Sequence, residues 1–172
     1  MAEEIDPIGD YLASKNVGFQ TTEGGAHGYK THSFHFTGKS INIIECAIEF
    51  AEEGRVFTVY GMVNNKVPKE KFLEVLKVIN EANLSTGYGT MVLNMSDGNF
   101  WARNTHAAAN DVDPSVYDAM IIHVCDLIDR IYPLIMKIIY SEKSAEEVIA
   151  NWKSGSDKSS DSPISSDISG YQ

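Results

Sequence analysis

The sequence has little of what usually declares a chemistry. Only two cysteines stand in 172 residues. Cys46 and Cys125 lie far apart, each inside an apolar run, so they offer neither a disulfide framework nor a CxxC metal or redox site and read as core packing. Positive charge is scarce: 14 Lys+Arg against 24 Asp+Glu leave a formal net charge of −10. Phosphate neutralisation needs clustered cations, which excludes nucleic acid and an anionic membrane surface as partners and leaves basic partners open. The stretch Met1-Ala2-Glu3-Glu4-Ile5-Asp6 lacks the basic and apolar regions of a signal peptide, so a cytoplasmic protein is expected. The longest apolar-rich stretch, Met120 to Tyr140, is interrupted by His123, Asp126, Asp129, Arg130 and Lys137, and reads as a buried helix rather than a membrane span.

Catalytic and ligand motifs are equally sparse. His32 and His35 have an HxxH look, but three residues along a strand send the two rings to opposite faces, unlike histidines four apart on a helix. Gly87-Tyr88-Gly89 lacks the third glycine and the following helix of a dinucleotide loop, and reads as a helix-end turn. Asp111 and Asp113 stand where a helix needs a cap, which explains them better than acid–base work. Ser85, Ser96 and Cys125 have no base motif beside them. The sequons at Asn83 and Asn94 carry no weight without a secretory route. No enzyme activity, cofactor or metal is therefore expected.

What is present is ordinary globular material, 43% hydrophobic and 22% charged, enough for one domain with a tail. Ile5, Ile8, Tyr11 and Leu12 mark a short helix over Ile5 to Lys15, with Asp6 as N-cap and Pro7 at its first position. Val17 to Thr22 is a brief strand, followed by a turn over Glu23 to Gly28. Tyr29 to Thr37 is a strand with His32, Phe34 and Phe36 on one face. Ile41 to Phe50 alternates from Ile44, with Glu45 and Glu49 outward, and a turn at Ala51-Glu52-Glu53-Gly54 returns it as Arg55 to Val63. These strands form an antiparallel meander. A helix starts at Pro68 with Phe72, Leu73, Leu76 and Ile79 as its apolar face and Val75 alongside. Tyr88 to Met95 and Phe100 to His106 form a hairpin through Asp97-Gly98. Asp113-Pro114 opens a long helix to about Glu142. It carries two apolar tracks, one from Met120 to Ile138 and one from Ile121 to Ile139, which predicts a dimer, and Pro133 is expected to kink or divide it. Ser144 caps a last helix, Ala145 to Trp152. Residues 1–152 are thus one α+β domain, and 153–172 a Ser-rich tail expected to be disordered.

The wording of several segments is similar to that of a known family. Ile41 to Phe50 with Glu52-Glu53-Gly54-Arg55, Val67-Pro68-Lys69-Glu70-Lys71 running into Leu73 to Asn83, Tyr88-Gly89-Thr90-Met91-Val92-Leu93, and Asp97-Gly98 together resemble the YbjN-like family. That family is described as candidate bacterial sensory-transduction regulators. The resemblance covers about Ile5 to Tyr140 and implies the fold of type III secretion chaperones, which are acidic, cytosolic, commonly homodimeric and bind extended client segments. The tail and the short helix before it depart from the pattern.

The expected function is a non-enzymatic regulator or chaperone-like module that binds a protein or peptide. Its expected site is the low-charge second hairpin: Tyr88, Met91, Leu93, Phe100, Trp101 and Arg103. The alternative is a small-molecule-binding domain or enzyme with a pocket between the sheet and the long helix, near His106, His123 or Tyr132.

Overall fold

The structure is a computed structural model that describes residues 6–24, 29–51 and 54–155. Expectations for Met1–Ile5, the Gly25-Ala26-His27-Gly28 part of one turn, the Glu52-Glu53 part of another, and the tail from residue 156 lie outside the described residues.

Local chemistry starts each helix. Asp6 accepts the Gly9 N–H at 2.9 Å ahead of Pro7, opening α1 (Pro7–Ser14). Four strands follow: β1 (Gln20–Thr22), β2 (Lys30–Phe36), β3 (Ile44–Ala51) and β4 (Val56–Lys66). They pair antiparallel in sequence order, the expected meander. A 3-10 turn over Lys69–Lys71 leads into α2 (Phe72–Ser85). The hairpin β5 (Thr90–Leu93) and β6 (Asn99–Ala107) comes next, then α3 (Pro114–Tyr140) and α4 (Ala145–Lys153). Asp113 caps α3, and Ser144 with Glu147 forms a capping box on α4.

The sheet order is β1-β2-β3-β4-β6-β5. The longer return strand β6 pairs with β4, which leaves the four-residue β5 at the edge. That edge is managed locally: the Asn83 side chain accepts the Met91 N–H at 2.8 Å and donates to the Met91 carbonyl at 3.1 Å.

One sheet face is covered. His32, Phe34 and Phe36 of β2, Ile44, Cys46 and Ile48 of β3, and Phe57 and Val59 of β4 are all buried on it. Helix α3 packs across β4 and β6, α2 against β5 and α3, and α4 against α2 and α3. Helix α1 joins the start of α3, where Tyr11 donates to Asp118 and Lys15 pairs with Asp118 at 3.0 Å. Gly61 permits the close approach of α3, since a Cβ there would stand 3.0 Å from Val124 and 3.4 Å from Ile128.

Some details differ from expectation. Pro133 lies inside α3 without dividing it, and the helix continues to Tyr140. Both apolar tracks of α3 are used internally, against the sheet and against α2 and α4. In α2 the buried face is Phe72, Val75, Val78, Ile79 and Ala82, while Leu73 is 71% exposed. The spacing from Phe72 through Val75 and Ile79 to Ala82 keeps one stripe, and Leu73 stands about 100° around the helix from it. The final helix also extends one residue beyond the expected Trp152, to Lys153.

A buried carboxylate ties α3 to the β2–β3 connection. Asp129 is 5% exposed and accepts the backbone N–H groups of Lys39 at 2.9 Å, Ser40 at 2.8 Å and Ile41 at 2.9 Å, in the β2–β3 connection. A Cβ on Gly38 would collide with that carboxylate. Asp129→Asn presents an amide N–H to amide donors and should lower stability in urea denaturation of the full chain by about 3 kcal/mol. Gly38→Ala should also destabilise, by displacing the carboxylate, whereas the same change at exposed Gly87, with open space around it, should not.

Candidate protein-interaction surface

Pleat alternation divides the second hairpin into two halves with different surroundings. Met91, Leu93 and Phe100 point into the core, at 2%, 9% and 1% exposure. These three expected binding residues are therefore packing residues. The register explains which half goes in: Ala102 lies opposite Gly61 and Met91, so it and its same-face neighbour Phe100 share the side that α3 covers. Trp101, Arg103, Thr90 and Val92 take the other side. Tyr88 precedes β5, is 65% exposed, and stacks on His123 with centroids 4.7 Å apart and planes 13° from parallel.

Among the described residues no helix packs on this outward face. Its centre is built from four strands. Trp101 lies opposite Met62 on β4 and Val92 on β5, and Tyr60 lies opposite Ala47 on β3 and Arg103 on β6. Ala47 is 7% exposed although no helix covers it, and Tyr60, Met62, Val92 and Trp101 are half-buried, so neighbouring side chains shield one another. The Trp101 indole Nε1 is buried without a hydrogen-bond partner. Charge lies around this centre, with Glu45 and Glu49 on β3 and Arg103 on β6. Tyr60 donates to Glu49 at 2.9 Å, and burial together with the Glu49 carboxylate raises its phenol pKa. Thr58 and Thr105 bond across the strands at 2.9 Å.

Most of the residues considered for chemistry have local packing or hydrogen-bond partners. His32 is fully buried and His35 is exposed, on opposite faces as alternation requires. The His32 ring sits between Phe19 and Phe50, its Nδ1 3.0 Å from Thr21 Oγ1 and its Nε2 3.0 Å from both Asp6 carboxylate oxygens. The order hydroxyl, imidazole, carboxylate has the look of a nucleophile relay. Here it joins β1, β2 and α1, because the ring is enclosed and Asp6 is already engaged as a helix cap. Asp113 accepts from the Ser115 hydroxyl and backbone N–H, which lower its pKa. Ser85 donates to the Ala82 carbonyl, and Ser96 to Asn94. His106 lies against Phe57, and Tyr132 donates to Asn65 at 3.0 Å. Among the described residues no three His, Cys, Asp or Glu side chains are placed to share a metal ion.

A groove of about 550 Å³ runs beside Phe19, Ser33, His35 and Glu45, and another of about 460 Å³ beside Tyr132, Met136 and Tyr140. Neither includes His106 or His123. The seam between sheet and α3 is filled by Cys46, Val124 and Ile128 over Gly61. The two cysteines, which sequence distance kept apart, meet in that seam with sulfurs 3.2 Å apart.

No family model and no curated protein sequence matches the chain. Among solved structures it is similar to the crystal structure of YbjN from E. coli, described as a candidate transcription regulator. The superposition has a TM-score of 0.54 at 12% identity, covering 76% of this chain and 89% of that one. The fold is YbjN-like. This YbjN-like frame combines four helices on one side of a six-stranded antiparallel sheet, matching the expected α+β class. No helix among the described residues is long and apolar enough to cross a membrane.

The division of the hairpin makes a direct test. Met91→Glu buries an unpaired charge and should cost more than about 3 kcal/mol in denaturant titration, whereas Trp101→Glu should cost roughly 1 kcal/mol and leave the far-UV spectrum unchanged.

Proposed function

We propose that the chain is a cytoplasmic, non-enzymatic regulatory or chaperone-like module that acts by binding a protein partner on the helix-free face of its sheet. The observation that carries this reading is the Tyr60, Met62, Val92 and Trp101 cluster, an apolar centre on the one sheet face that no described helix covers. Aromatic and methionine side chains supply large contact area and adapt to varied partners. Glu45 and Glu49 beside that centre, and a net charge of −10, favour a partner segment that carries apolar side chains flanked by Lys or Arg. The description of YbjN as a candidate regulator agrees with a role in regulation. Like charge disfavours a second copy of this acidic chain as the occupant.

The test is fluorescence anisotropy with a labelled extended peptide of alternating Leu and Lys, set against its Leu/Glu counterpart. The Leu/Lys peptide should bind more tightly, and Trp101→Glu or Met62→Glu should weaken it at least about tenfold, the equivalent of ~1.4 kcal/mol. Equal binding by both folded variants would overturn the assignment of the face. A dimer in light scattering that Trp101→Glu dissociates would assign the face to self-association instead.

A further inference from the structure

The cysteines that sequence spacing left as unrelated core residues form a pair. Cys46 on β3 and Cys125 on α3 are 79 residues apart, yet their sulfurs stand 3.2 Å apart with both side chains fully buried. Both are free thiols. The contact has structural causes on either side. Cys46 pairs with Gly61 across β3 and β4, and the missing side chain at Gly61 lets Val124 and Ile128 settle onto the sheet, which brings the intervening Cys125 down onto Cys46. One turn further along α3, Asp129 is held by three backbone amides, which fixes the rotation of the helix. The sulfurs need to approach by only about 1 Å to reach the ~2.05 Å of a disulfide.

We propose that Cys46 and Cys125 are a latent redox site, in which a small-molecule or protein disulfide oxidises the two thiols to an intrachain cross-link that locks α3 to β3. In the first step the thiolate of one cysteine attacks the reagent disulfide, forming a mixed disulfide and releasing one reagent thiolate. In the second, the other cysteine attacks the protein sulfur of that mixed disulfide, closing the Cys46–Cys125 bond and releasing the second reagent thiolate. The two cysteine protons end on the two reagent thiols, so the protein is oxidised by two electrons and the reagent reduced by two.

The native pair is protected. Neither sulfur is exposed, and burial followed by the Cys46 thiol pushes the Cys125 pKa well up, so attack requires the seam between β3 and α3 to open. Oxidation is therefore gated by opening of the core, and once made the bond closes a long loop that restrains the unfolded chain.

The test uses the full chain and oxidised glutathione, in native buffer and in urea just below the unfolding transition. The expected result is a monomer that has lost two hydrogens by intact mass and both free thiols by thiol titration, forming faster in urea. After urea is removed, its Tm should lie roughly 10 °C above that of the reduced chain. Reduction should restore the original Tm, and Cys125→Ala should show neither the mass loss nor the Tm gain. Persistence of both free thiols, a product that retains glutathione, a disulfide-linked dimer, or an internal bond that lowers the Tm would each overturn the proposal.

Discussion

A carboxylate placed in the middle of an apolar helix must find donors or disrupt the core around it. Asp129 finds three, the backbone amides of Lys39, Ser40 and Ile41, all supplied by one connection between β2 and β3. This contact sets the rotation and the height of α3 over the sheet. With α3 fixed, Val124 and Ile128 meet Gly61, Cys125 meets Cys46, and the remaining apolar track faces α2 and α4. The second helical layer is then sealed by smaller contacts, among them Glu74, which accepts the Ala145 N–H at 2.7 Å, and Lys77, which bridges Glu74 and Glu146. Those bonds lower both carboxylate pKa values and raise that of Lys77.

Covering one face of the sheet leaves the other to water, a division that antiparallel sheets tolerate. The uncovered face is not uniformly polar. Its edges carry threonine, glutamate and arginine, while its centre gathers Met62, Trp101 and Val92 in register across three adjacent strands. The same alternation that buries Phe100 beneath α3 puts Trp101 on the outside, so the core and the proposed binding face are two products of one strand pairing.

Much of this was legible locally. Asp6, Asp113 and Ser144 announce helix starts because a cap bonds residues two or three positions away. The alternation of His32, Phe34 and Phe36 names a face without reference to the rest of the chain. The second hairpin was legible as a hairpin, but alternation alone says that half its residues go inward and not which half. The pairing of β6 with β4 decides that, and it places Met91, Leu93 and Phe100 in the core. Asp129 looked like one more charge interrupting an apolar run, because its partners are backbone amides some ninety positions earlier and have no side-chain signature. The cysteine pair and the His32, Thr21 and Asp6 cluster were hidden for the same reason: each is assembled from elements that the fold, and not the chain order, makes neighbours.

The central claim is that the two faces of the sheet have different tasks, one packing and the other binding. Methyl NMR of the full chain during titration with the Leu/Lys peptide tests it most directly. The account predicts that the methyl signals of Ala47, Met62 and Val92 shift progressively while those of Val124, Ile128 and Ile131 stay in place. Shifts concentrated in α3 methyls, with the outward sheet methyls unmoved, would contradict it.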